Sequence, residues 1–139
     1  DDQGVNPVNT PLIGITRWDA TPQSAMLPGM QGGLFAMGNA GREAAFRNRY
    51  EASYGSAPHP LASIAYDGIA AIGALAATGD RGALTTGSLT RASGFAGATG
   101  IFRLRPDGTN QRALAVARIV NNQISIVDPA PQSFGRGGS

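Results

Sequence analysis

The sequence predicts an α/β protein, on three observations. Short apolar runs of strand character open and close the chain, and between them stand two helix patterns joined by a proline-bearing turn. The 139 residues, 42% hydrophobic and 14% charged, have the composition of a folded domain, neither disordered nor membrane-spanning.

Residues 1–10 are polar and carry Pro7, and they read as an irregular lead. Pro11 to Thr16 is a continuous apolar run ending in polar residues, the pattern of a parallel strand covered on both faces. Arg17-Trp18-Asp19 follows at its carboxyl end, where open parallel sheets bind ligands. The alternative is that Trp18 packs beneath the loop for its area while Arg17 and Asp19 face solvent. Thr21 and Pro22 can open a short helical turn, which Pro28-Gly29 breaks. Gly33 to Met37 is a second short strand, and Gly38 to Gly41 turns into a helix with Asn39 as its cap.

Phe46, Tyr50 and Tyr54 recur every fourth residue, which sets three rings along one side of that helix and predicts a buried face. Gly55 is a left-handed stop, and Pro58 and Pro60 forbid continuation. A second helix starts near Leu61. Its residues Leu61, Ile64, Ala65, Ile69, Ile72, Leu75 and Ala76 cover most of the circumference, with Asp67 the sole charge before Asp80. Such a helix is expected in a core, with neighbours on several sides.

A third, weaker helix is expected over Leu84 to Ser93, capped by Thr85 or Thr86. Gly94, Gly97 and Gly100 then mark tight bends. They precede a strand, whereas phosphate-cradling loops lead out of a strand into a helix, so no phosphate site is expected there. Ile101 to Arg105 alternates, with Phe102 and Leu104 on one face and Arg103 and Arg105 on the other. Pro106-Asp107-Gly108 is a turn. Ala113 to Val120 and Gln123 to Val127 make an antiparallel hairpin across Asn121-Asn122, and 132–139 is a Gly-rich tail expected to be disordered. The order β-β-α-α-α-β-β-β leaves the strand at Leu12 short of neighbours.

Several chemistries are excluded. All eleven basic residues are Arg and they are scattered, with no run that tracks phosphates, so no nucleic-acid partner is expected. The chain has no cysteine, which removes thiolate zinc sites, thiol catalysis and disulfides. His59 is the one histidine, flanked by Pro58 and Pro60, and no carboxylate spacing or G-x-S-x-G turn points to a metal, a cofactor or a nucleophile. The expectation is a non-enzyme without cofactor. The chain opens at Asp1-Asp2-Gln3 without initiating Met, signal peptide or lipid-attachment cysteine, as expected of a piece of a longer product.

Two blocks carry a resemblance. F-R-N-R-Y-E-A-S-Y-G-S-A-P-H-P-L-A-S-I-A-Y-D-G-I-A, from Phe46, resembles the helix pair of type I periplasmic binding proteins, the fold of branched-chain amino-acid receptors. G-F-A-G-A-T-G-I-F-R-L-R-P-D-G-T-N-Q-R-A-L-A-V-A-R, from Gly94, is similar to the G-x-T-G strand and D-G turn of the same fold. The resemblance runs from about Leu12 to Pro131. It implies a two-lobe, Rossmann-like α/β fold with three crossovers, of which this chain is a carboxyl-terminal fragment partnered by the missing amino-terminal part of the same protein. Residues 1–37 and a terminal hairpin at 106–131 would then fall to one lobe, and the helical segment 38–105 to the other.

Within the family two functions compete. Amino-acid receptors commonly carry an acid two places after the glycine of the strand matching Leu12-Ile13-Gly14, where it pairs with the ligand ammonium. Here that place is Thr16, which cannot supply the ion pair. The segment from Ala96 to Leu114, with Asn110 and Arg112 after its turn, looks closer to penicillin-binding-protein activators, envelope lipoproteins that dock onto a peptidoglycan synthase. The resemblance therefore implies a non-catalytic periplasmic protein of the activator kind, lipid-anchored through a preceding segment, with a cell-wall synthase as partner and a working surface on the Arg103 and Arg105 face. The alternative is a solute receptor of an ABC transporter, with a permease partner and amino acids or similar small polar ligands. Thr16, Arg17, Trp18 and Asp19 would then line the interlobe cleft, Arg17 engaging an anion and Trp18 stacking on the ligand.

Overall fold

The computed structural model describes residues 9–15, 17–80 and 82–134. The chain divides into two compact units, one formed by residues 1–37 with 114–130 and the other by 38–113 with 131–139. The backbone passes from one unit to the other after Met37, after Ala113 and after Ala130.

The first unit is a four-stranded sheet in the order β1-β2-β6-β7. Strand β1 (Ile13–Gly14) runs parallel to β2 (Leu34–Met37), and three 3-10 turns, Trp18–Ala20, Pro22–Met26 and Pro28–Met30, connect them. Strand β2 pairs antiparallel with β6 (Ala115–Val120), Phe35 opposite Ala117, and β6 turns back into β7 (Gln123–Asp128). Asn121 and Asn122 take φ of 51° and 61°, the left-handed pair that a two-residue hairpin requires. Ala115, Ala117 and Ile119 of β6 alternate inward and meet Phe35, Met37, Ala25 and Ala130 in one core.

The expected doubly covered strand at Pro11 to Thr16 is corrected in extent and place. Among the described residues of this stretch only Ile13 and Gly14 join the ladder, and β1 stands at the sheet edge, where Ile15 is 98% exposed. Among the described residues no strand pairs with its far edge, and Ile13 is exposed as well.

In the second unit α1 (Ala40–Tyr54) starts at Asn39, whose side chain accepts from the Arg42 N–H at 3.0 Å. It ends at Gly55, φ 69°, whose N–H returns to the Glu51 carbonyl. Helix α2 (Ala62–Ala76) packs Ala71 and Leu75 onto Phe95 and Phe102 of a three-stranded antiparallel sheet: β3 (Phe95–Ala96), β4 (Ile101–Leu104) and β5 (Asn110–Arg112). Along the chain α3 (Thr86–Leu89), capped by Thr85, follows α2 and precedes β3. No helix of the described residues is long and apolar enough to cross a membrane.

Four further expectations change. The aromatic side of α1 is not buried as a whole: Phe46 is inside, but Tyr54 is 70% exposed and the rings stack on one another, Tyr50 to Tyr54 at 4.5 Å. Helix α2 is not surrounded, because its inward stripe is Ser63, Asp67, Ala71 and Leu75 while Leu61, Ile64, Ile69 and Ile72 stay exposed. Small Ser63 and Ala71 let the helix approach the sheet, and Asp67 finds its partners only on that side. The third helix shrinks to four residues, since Leu84 faces solvent and supplies no apolar anchor. Residues Asn110–Arg112 form β5 against β4 instead of belonging to the terminal hairpin, which begins at Ala115. Residues 135–139 of the expected tail lie outside the described residues.

Candidate functional site

Thr16 lies outside the described residues, and the other three sequence-predicted positions share one turn at the carboxyl end of β1. The 3-10 turn at Trp18–Ala20 folds Arg17 toward the residue two places on. Its guanidinium forks onto Asp19, Nη2 to Oδ2 at 2.6 Å and Nε to Oδ1 at 3.4 Å, so the two charges offset each other. Trp18 is half-buried, its ring centroid 5.5 Å from that of Phe35, and it packs against the core of the first unit. Glycines make the indole's seat: a Cβ on Gly14 would fall 2.5 Å from Trp18 Cε2, and one on Gly33 2.8 Å from Cζ3. The structure thus brings Arg17, Trp18 and Asp19 together. Within the unit it uses Trp18 as a packing residue and the charged pair as a brace for the turn.

A second cluster was not anticipated. Asp67 on α2 is 0% exposed, and three donors replace its water. The Ala98 N–H reaches Oδ1 at 2.6 Å, while the Thr99 hydroxyl and Arg112 Nη1 reach Oδ2 at 2.5 and 2.7 Å. Arg112 Nη1 also donates to Thr99 Oγ1 at 2.6 Å, and its guanidinium lies 5.0 Å above the Phe102 ring. Gly97 must be glycine here, because a Cβ would overlap the Asp67 carboxylate. With every member satisfied, the cluster offers a ligand no free acid or base; it fastens α2 to the β3–β4 loop and to β5. The signal in the sequence was a single carboxylate on an otherwise uncharged helix, which demands a buried cation without saying which.

The face formed by Arg103 and Arg105 is engaged inside its own unit. Both guanidinia hold Gln111 Oε1, at 2.9 and 3.1 Å, and Arg103 covers the Phe134 ring at 4.7 Å. Two shallow depressions flank α1, one of about 350 Å³ between Tyr50, Tyr54 and Tyr66 and one of about 420 Å³ beside Arg42 and Ala98, and Arg49 and Tyr66 line both. No group of three side chains suited to holding a metal occurs among the described residues.

No family model matches the chain, and no curated protein does. Two solved structures do. The first, from Rhodospirillum rubrum, is provisionally assigned as a branched-chain amino acid ABC transporter; it matches 91% of this chain at TM-score 0.69 and 19% identity, and this chain covers 38% of it. The second is a leucine binding protein from Thermotoga maritima, matching 74% of this chain and 32% of its own at TM-score 0.46 and 20% identity. The chain has the α/β fold of type I periplasmic binding proteins and spans well under half the length of the first of these structures.

Proposed function

We propose that the chain belongs to a solute-binding protein of an ABC transporter that takes amino acids or similar small polar metabolites in the periplasm, without catalysing a reaction. The observation that carries this reading is the likeness over 91% of the chain, at TM-score 0.69, to a protein assigned to branched-chain amino acid transport. The internal geometry weighs the same way. Of the residues that pointed to a synthase-docking activator, Arg112 is committed to Asp67 and Arg103 with Arg105 hold Gln111 within the second unit, while Asn110 is exposed on β5.

In this reading the turn at the end of β1 supplies ligand contacts, with Arg17 held in place by Asp19 and Trp18 offering the outer edge of a packed indole. Its partners are a membrane permease and the remaining part of a two-lobe protein. Exposed Ile13 and Ile15 at the β1 edge, and Ile69 and Ile72 on α2, are the surfaces suited to such a covering segment.

Calorimetric titration of the complete gene product with a panel of amino acids and small carboxylates tests the proposal. Micromolar binding, weakened about tenfold or more by Trp18→Ala, is the expected result. Absence of binding across the panel, together with capture of a cell-wall synthase from solubilised membranes, would replace it with the activator reading.

A further inference from the structure

Thr99 stands where two of the three inter-unit connections enter and leave the second unit. Its carbonyl accepts the N–H of Asn39, two residues beyond Met37, at 2.8 Å, and its hydroxyl is bonded to both Asp67 and Arg112. Arg112 is followed directly by Ala113, the last residue before the chain crosses again. Ala113 is tied into β4 through its N–H to the Ile101 carbonyl at 3.0 Å. Gly100 lies between the two connections: a Cβ there would meet the Ala113 carbonyl at 3.3 Å and Asn39 Cβ at 3.7 Å. Its φ of 126° is open to glycine and costly for other residues.

We infer that the Asp67–Thr99–Arg112 cluster is an anchor for these two connections, fixing where each leaves the second unit and thereby how freely they move. A buried ion pair with a threonine at its centre is a poor source of net stability but a good source of a single defined geometry. Of the connection residues Asn39 is half-buried and Ala113 buried, and both are held through Thr99 and Gly100 of the β3–β4 loop and Ile101 at the start of β4, a segment that Asp67 fastens. The inference concerns the second unit alone and stands whether or not a solute is the ligand.

Amide hydrogen exchange on the whole chain, read by NMR, tests it. Thr99→Val keeps the β-branch and removes the hydroxyl. It is expected to speed exchange at Asn39 and Ala113 by about tenfold or more relative to Ala71, Leu75 and Ile119, the scale of one charge-assisted bond, and Thr99→Ser is expected to restore protection. Arg112→Gln, which leaves Asp67 its Ala98 and Thr99 donors, perturbs the cluster from its other side and decides the case if Thr99→Val loosens everything. Unchanged exchange at Asn39 and Ala113, or an equal rise at all five amides in Arg112→Gln, would overturn the anchor.

Discussion

Arg112 Nη1 stands 2.7 Å from Asp67 Oδ2, joining β5 to α2 around a carboxylate with no exposure to solvent. Removing either partner leaves a buried charge uncompensated, which costs about 3–5 kcal/mol in proteins. Arg112→Ala is expected at the lower end, because its own side chain is 21% exposed and Asp67 keeps two donors. Asp67→Ala strands Arg112 and Thr99 together and should cost more. Urea unfolding of both variants and of the double variant checks this; single losses that simply add would show the pair to be uncoupled.

The indole of Trp18 leaves no room on the β1 side. Gly14→Ala places a methyl within 2.5 to 2.9 Å of three ring carbons, an overpacking expected to cost about 1–3 kcal/mol. Trp18 is the chain's sole tryptophan, so its emission should shift as the ring is pushed out. In a Trp18→Leu background the same substitution should become nearly neutral. An equal cost in both backgrounds would place the strain elsewhere.

The parts of this fold legible in the sequence were those set by contacts within four residues. Asn39 and Gly55 bound α1 because a cap and a left-handed stop are local events, and Asn121-Asn122 turns the hairpin for the same reason. Strand β5 was not legible: Asn110-Gln111-Arg112 has no apolar alternation and becomes a strand only because β4 lies beside it. The outer side of α2 failed differently. Periodicity reports which residues can be buried, and whether Ile69 is buried depends on a covering element that the described residues do not provide.

For the candidate site, position was legible and use was not. Arg17-Trp18-Asp19 does stand at the end of β1, but Arg17 precedes the 3-10 turn in a non-helical conformation, φ −76° and ψ 85°, from which its guanidinium meets Asp19. The Asp67 partners lie 31 to 45 positions away, beyond any spacing rule.

Asn121 carries a positive φ of 51° with no glycine to relieve it. Asn121→Gly should therefore stabilise the hairpin by about 0.5 kcal/mol, and Asn121→Val should destabilise it by about 1–2 kcal/mol. Thermal melts of the two variants give the comparison. Equal melting temperatures would mean that this turn is not formed in solution.

Ile69 is 70% exposed on a helix whose neighbours Ile64 and Ile72 are exposed too, a patch suited to association. Ile69→Glu is expected to leave stability within about 0.5 kcal/mol, as for a surface change, while lowering self-association. Sedimentation across a concentration series measures the second effect. A variant that unfolds would place Ile69 in a core, contrary to its position here.

The Pro106–Gly108 turn has its own pH dependence. The Thr109 hydroxyl and N–H donate to Asp107 Oδ1 at 2.7 and 2.9 Å, and the hydroxyl bond is the main reason the carboxyl titrates below its ordinary 3.8. The backbone bond and, to a lesser degree, the charge of Arg105 act in the same direction, and desolvation opposes them. Because the folded value is depressed, the turn's preference for the carboxylate is fully present above the unfolded value and is lost as pH falls through the folded one, below 3.8. The carboxylate is fully exposed, so the readout is the group itself and not global stability. Carbon-detected NMR titration of Asp107 should give a midpoint under 3.8 in the wild type and a higher one in Thr109→Val, which keeps the N–H and loses the hydroxyl. A wild-type midpoint at or above 3.8, or one that does not move in Thr109→Val, would show the hydroxyl bond to be absent in solution.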